Sequence, residues 1–294
     1  MFVFNADKPY SNMESMTPLQ AYELIQSSIL SVYDARESSL IARYLTEDLF
    51  QKPFWSEDHL TQVDIDLLHD AIRRLLAHEP WQYIGGKADF YGLSFYIDNR
   101  ALIPRPETEE LVLLALDLIK KEAVSQIMDA CTGSGIIGIT IALKTGKQVH
   151  AFDVDEGVLE LAKKNAALHN VPVSVFRADL LSPEIWPSLP KVDMIVSNPP
   201  YIAKEEALML DPNVLDYEPH LALFSPGHPL DFYEALASLV HDFQPAGCRL
   251  LVEINEKYGQ EVCRLFNRKG LRNIALCQDM QGKDRFVIAK NKVM

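Results

Sequence analysis

Cysteine is scarce in this chain, with four in 294 residues: Cys131, Cys248, Cys263 and Cys277. None forms a C-x-x-C pair, and no histidine cluster has ligand spacing, so no disulfide framework and no metal site are expected. Long apolar runs are missing too. No stretch reaches membrane-spanning length, and the strongest candidate, near residues 111–119, carries Asp117. The opening MFVFNADKPY has no basic segment followed by an apolar one, which argues against a secretory leader. Reduced thiols, no membrane partner and a cytoplasmic location are therefore expected. Positive charge is also short. Lys and Arg number 28 against 41 Asp and Glu, leaving a net charge of −13. Non-specific nucleic-acid binding rests on Lys and Arg neutralising phosphates, so no stable nucleic-acid partner is expected.

What is present is an ordinary globular composition, 48% hydrophobic and 23% charged. A chain of this length buries roughly 75% of its unfolded surface and needs no staple. Residues 1–80 read as a small helical domain. Thr17-Pro18 is a helix start, followed by Leu19, Tyr22, Ile25 and Ile29 at helical spacing. Further helical patterns run near 38–50 and 61–78. Residues 81–106 change character. They are rich in aromatic and β-branched residues, with Gly85-Gly86 and Gly92 as turn signals, and read as a β-hairpin linker. A helix starts near Glu107.

Residues 107–294 alternate strands and helices. Strand-like runs lie at 126–130, 149–153, 173–177, 192–197, 249–254, 274–277 and 285–289, and helical runs at 157–169, 230–243 and 258–269. The alternation predicts an α/β domain with a mostly parallel sheet covered on both faces. The last two strands are separated by too few residues for a parallel crossover, so the final strand is expected to be antiparallel.

The chemistry begins after the first strand of this domain. In Asp129-Ala130-Cys131-Thr132-Gly133-Ser134-Gly135-Ile136-Ile137-Gly138 the glycines satisfy G-x-G-x-x-G, which allows a tight turn and close approach of a ligand. The pattern fits a nicotinamide, a flavin or an S-adenosylmethionine (AdoMet) site. Asp153 ends the second strand, where a carboxylate accepts from ribose hydroxyls, again in either class. Asp179 ends the third, placed to accept from an adenine amino group or to cap the following turn. Asp129 is expected at the mouth of the loop, where it would meet the amino group of a methionine moiety and repel a diphosphate. That favours AdoMet.

The fourth strand stops on Ser197-Asn198-Pro199-Pro200-Tyr201. Two prolines cannot continue a strand. A planar NH2 group offers two N–H donors. The Asn198 side-chain carbonyl and the Pro199 main-chain carbonyl can each accept one, with Tyr201 packing on the planar group. Both hydrogens held, the nitrogen is oriented for attack on a methyl donor.

These motifs in order resemble the bacterial release-factor glutamine methyltransferases (the HemK/PrmC family): Ile103-Pro104-Arg105-Pro106-Glu107-Thr108-Glu109, then the loop from Asp129 to Gly138, then Asp153, then Asn198 to Tyr201. Weaker agreement runs through Tyr217-Glu218-Pro219 and Leu250-Leu251-Val252-Glu253. The resemblance implies a seven-stranded, Rossmann-like AdoMet-dependent methyltransferase fold with an N-terminal helical domain, whose position and lack of catalytic residues suit it to substrate docking. It implies methylation of the glutamine side-chain nitrogen in the Gly-Gly-Gln motif of class I peptide chain release factors. By the same resemblance Cys131, Thr132, Gly133, Ser134, Gly135, Asp153, Asp179, Leu180 and Asn198 hold the cofactor. Asn198, Pro199, Pro200 and Tyr201 hold the glutamine, and Glu107 and Glu109 sit near the site mouth. Cys131 stands where the family often has glycine, and residues 225–231 depart from the family's glycine-aspartate-glycine turn. The competing readings are an adenine-N6 or guanine-N2 methyltransferase acting on DNA or RNA, a non-catalytic scaffold, and a dehydrogenase.

Overall fold

The computed structural model describes residues 16–292. It divides into two compact units, one running through Lys87 and including Pro212–Tyr217, the other built from Ala88–Asp211 and the chain from Glu218 onward.

The first unit is helical: α1 (Pro18–Ile29), α2 (Ala35–Phe50), α3 (Gln62–Leu76) and α4 (Trp81–Gly85). Thr17 and Gln20 form a capping box on α1, and Thr61 and Asp64 form another on α3, so two of the first-turn N–H groups of each helix are satisfied locally. The apolar stripes of these helices meet in one core around Ile25, Ile29, Ile41, Leu45, Leu68 and Leu75. The helix α4 corrects the sequence reading, which assigned residues 81–86 to the hairpin. Pro80 stands at its N-cap, Ile84 is buried in the core and Trp81 stacks on Tyr44 with 5.3 Å between ring centroids. Tertiary packing overrides the β-propensity of WQYI.

The second unit follows in the order β1 (Lys87–Phe90), β2 (Leu93–Tyr96), α5 (Pro106–Lys121), β3 (Gln126–Ala130), α6 (Ile136–Thr145), β4 (Gln148–Asp153), α7 (Glu156–Leu168), β5 (Val173–Arg177), β6 (Met194–Ser197), α8 (Pro212–Tyr217, which belongs to the first unit), α9 (His220–Leu223), α10 (Asp231–Phe243), β7 (Arg249–Glu253), α11 (Gly259–Arg268), β8 (Arg272–Gln278) and β9 (Asp284–Lys290). The strands β1 and β2 pair with each other; the remaining seven form one sheet in the order β5-β4-β3-β6-β7-β9-β8. Each of the seven expected strands is present. The final strand, β9, runs antiparallel to both neighbours, as the short connection requires.

Strand order reverses at β3, which has β4 on one side and β6 on the other. Open α/β sheets bind ligands at such a switch point, outside the carboxyl ends of the strands. Register decides what stands there. Phe152, Ala130, Ser197 and Val252 are aligned across four adjacent strands. The next residue on each strand is Asp153, Cys131, Asn198 and Glu253. One row of the sheet edge therefore carries two carboxylates, a thiol and an amide.

Candidate active site

A cavity of about 320 Å³ opens at this edge, a size suited to a small-molecule ligand. Of the residues singled out in the sequence, Cys131, Thr132, Gly133, Ser134, Asp153, Asp179, Leu180, Asn198 and Pro200 line it, while Gly135, Pro199 and Tyr201 are not among its lining residues. Glu107 and Glu109 do not line it either. Glu109 instead accepts from the Tyr91 N–H at 2.7 Å, where it holds the turn of the β1–β2 ribbon.

The glycine loop uses each glycine differently. Gly133 has φ +55, and a Cβ added there would meet no atom within 4 Å, so the space over it is open. A Cβ on Gly135 would come within 2.8 Å of Ile139 Cδ1, and one on Gly138 within 3.0 Å of Asp129 and Val149. Those two glycines allow close packing of α6 rather than ligand approach. Cys131 also lies in the left-handed region, at φ +58, a conformation that costs a non-glycine residue about 1–2 kcal/mol. Burial pushes its thiol well above the usual range.

Asp153 is held at the end of β4 by three backbone N–H groups: Gly133 at 3.0 Å on Oδ2, and Val154 at 2.8 Å and Asp155 at 3.3 Å on Oδ1. Burial raises its pKa, and these three donors pull it back. Asp179 lines the cavity and also caps the turn behind it, accepting from Leu181 N at 2.9 Å and Ser182 Oγ at 3.1 Å. Asp129 is not at the loop mouth. It is fully buried beneath the loop, where Oδ2 accepts from Thr132 Oγ1 at 2.5 Å and Gly138 N at 2.9 Å, and Oδ1 has no partner among the described residues. Burial, the largest influence, lifts its pKa to about 7. Its place within β3 forces this: residues of a parallel strand covered on both faces point into the core.

The Asn198 hook is braced from behind. Asn198 Nδ2 donates to Thr108 Oγ1 at 3.1 Å, and Thr108 Oγ1 donates to Glu253 Oε2 at 2.7 Å. Tyr201 turns its hydroxyl to Glu253 Oε1 at 3.4 Å and packs against the sheet core. After the hook, Ile202 N bonds Leu223 O at 3.0 Å and Ser225 N bonds Ile202 O at 3.2 Å, so the chain past the prolines is clamped to residues 223–225. The opposite wall is held similarly. The buried Glu218 carboxylate accepts from Ile103 N at 3.1 Å and from the Arg105 guanidinium at 2.5 Å, which fixes the cavity-lining residues 103–105. The supporting residues Thr108, Glu218 and Glu253 appeared in the sequence only as parts of motifs. The signal for Glu253 was available: a carboxylate ending an apolar strand, as at Asp153.

Comparison with known proteins identifies the family. The chain is 40% identical to the release factor glutamine methyltransferase of Bacteroides thetaiotaomicron over 226 residues, covering 76% of this chain and 80% of the relative. It is 35% identical to that of Lactococcus lactis over 273 residues, covering 91% and 98%. The chain belongs to the release factor glutamine methyltransferase family. A model of the methyltransferase small domain matches residues 111–214, a span that holds the glycine loop, Asp153 and the Asn198 hook of this family member. Among solved structures, the hMettl16 catalytic domain in complex with the MAT2A 3′UTR hairpin 6 aligns with a TM-score of 0.55 at 16% identity, over 80% of this chain and 83% of that one. At that identity the likeness concerns the fold, that of a methyltransferase. Among the described residues no helix is long and apolar enough to cross a membrane.

Proposed function

We propose that this protein transfers a methyl group from S-adenosylmethionine to the side-chain amide nitrogen of the glutamine in the Gly-Gly-Gln motif of class I peptide chain release factors. The observation that supports it best is Asn198 at the switch point, with its NH2 committed to Thr108 and its carbonyl oxygen accepting from no described residue. Such an acceptor suits a substrate N–H.

The residues fit the cofactor. The open space over Gly133 admits a ligand against the backbone, Asp153 presents a carboxylate for ribose hydroxyls, and Asp179 and Leu180 line the same cavity, where they would meet the adenine. When bound, AdoMet would supply an electrophilic methyl group, its sulfur–methyl bond breaking to leave S-adenosylhomocysteine. The chain's own residues do the rest. Asn198 Oδ1 takes one hydrogen of the substrate amide, and the main-chain carbonyl of Pro199, which does not itself line the cavity but stands between the lining residues Asn198 and Pro200, takes the other. The nitrogen is thereby oriented, and fixed dipoles meet the positive charge it acquires until it sheds one of its two protons to water. The helical unit, which carries none of this machinery, would dock the release factor, and the reaction would belong to the cytoplasm.

Labelled AdoMet offered in parallel to a release factor, to the same factor with its Gly-Gly-Gln glutamine substituted, and to total nucleic acid tests the proposal. Label on the first acceptor alone is expected. Label in nucleic acid would overturn the substrate and favour an adenine-N6 or guanine-N2 target. In the same assay Asn198→Ala is expected to lower turnover about 10²–10³-fold, by analogy with losing one fixed hydrogen-bonding group at an oxyanion hole. Much of its AdoMet binding is expected to survive, so that affinity falls far less than turnover.

A further inference from the structure

We propose that Glu253 decides which end of the Asn198 amide faces the cavity, acting through the Thr108 hydroxyl. This rests on the reading of Asn198 as the acceptor for a substrate N–H. A carboxylate can only accept hydrogen bonds, so ionised Glu253 obliges Thr108 to donate its one proton to Oε2, at 2.7 Å. Thr108 Oγ1 then has only lone pairs to offer Asn198, and the amide answers with Nδ2, at 3.1 Å. Oδ1 is left for the cavity. With Glu253 protonated, the carboxyl hydroxyl can donate to Thr108 instead. Thr108 then turns its proton towards the amide, which meets it with Oδ1, and the NH2 group faces the cavity. A donor there opposes a substrate N–H.

Both states are physically accessible because of where Glu253 sits. It ends β7 and is buried, 1% exposed. The groups facing it are Thr108 and Glu107 from α5, Tyr201 from the hook, Arg285 from β9, and Tyr233 from α10, whose hydroxyl donates to the Glu253 main-chain oxygen at 3.0 Å. Arg285 favours the carboxylate, but it is already paired with Asp279 at 3.2 Å. Burial outweighs it and lifts the Glu253 pKa to about 7. Glu253 is thus a positioning residue, and Thr108 carries its state to the hook.

The test uses the full chain. Nuclear magnetic resonance follows the Glu253 carboxyl carbon and the Asn198 side-chain NH2 between about pH 5 and 9, a range that brackets a carboxyl raised by burial. The two signals are expected to shift with one midpoint, and Asn198 is expected to lose that response in Glu253→Gln and Thr108→Val. In methyl-transfer assays, kcat of the parent is expected to rise with pH to a plateau above the same midpoint. Glu253→Gln should flatten the profile. Thr108→Val should lower kcat about 10–100-fold, the scale of a misplaced reacting group, with AdoMet affinity within about twofold, while Thr108→Ser regains most of the rate. Asn198 signals that ignore the Glu253 titration, or a Thr108→Val variant with parental kcat, would overturn the relay. Coupled titration in a protein that labels no release factor would uphold the relay and remove the substrate reading.

Discussion

Gly133 and Cys131 share a left-handed backbone two residues apart, yet substitution should affect them differently. Cys131→Gly relieves about 1 kcal/mol of backbone strain and gives up a comparable amount of buried side chain, so the two effects nearly cancel. Gly133→Ala adds strain with no contact in return, because the new methyl meets only open space. It is expected to destabilise by about 1 kcal/mol and to weaken AdoMet binding, as denaturant unfolding and calorimetry would show. Unchanged affinity would mean the cofactor does not lie over Gly133. Asp129 makes a prediction about pH. Its folded pKa, about 7, is raised above the ordinary carboxylate value. The folded state therefore holds the proton more tightly, and stability falls as pH rises from about 4 through 7, at a limiting slope of about 1.4 kcal/mol per pH unit. In Asp129→Asn that slope should be absent from urea unfolding measured across the same range. The sequence placed this carboxylate at the loop mouth because spacing shows where a residue falls along a strand, not how deeply the strand is covered.

At the scale of elements, the seven strands and their order of appearance were legible, because strands of a buried parallel sheet read as short apolar runs. The helix α4 was not, since five residues carry too little pattern to outweigh aromatic β-propensity. The clasp around Asn165 was equally hidden. This residue of α7 is fully buried. Its Nδ2 donates to Ser134 O at 2.9 Å and Tyr96 O at 3.0 Å, and its Oδ1 accepts from Tyr96 N at 2.8 Å. One side chain thus ties the glycine loop to β2. Asn165→Ala leaves those groups without partners and is expected to cost roughly 2–3 kcal/mol of stability. AdoMet affinity should fall with it, through the freed Ser134 segment. A variant as stable as the parent in urea would show that the clasp contributes nothing. On a helix surface the same asparagine would be an unremarked polar residue; only the fold buries it.

At the scale of the whole molecule, the chain returns to the helical unit with Pro212–Tyr217, where the Tyr217 hydroxyl bonds Ala77 O at 2.6 Å. Removing residues 1–80 would strand that segment, so surface substitution is the cleaner probe of docking. Trp55 and Val63 are large, apolar and exposed on this unit, at 60% and 68%. Replacing both with serine is expected to raise the KM for the release factor about fivefold or more, the effect of losing about 1 kcal/mol at an interface. AdoMet affinity should be unaffected, and an unchanged KM would remove the helical unit from substrate docking. By itself the sequence determined the α/β class, the antiparallel last strand and the motifs that carry the chemistry, because these rest on local periodicity, glycine spacing and the limits proline imposes. Only the tertiary structure decided which residues stand together. Sheet register sets Asp153, Cys131, Asn198 and Glu253 in one row, and burial then fixes Thr108 between Asn198 and Glu253. Register and depth are properties of strands packed against one another, and no stretch of one strand contains them.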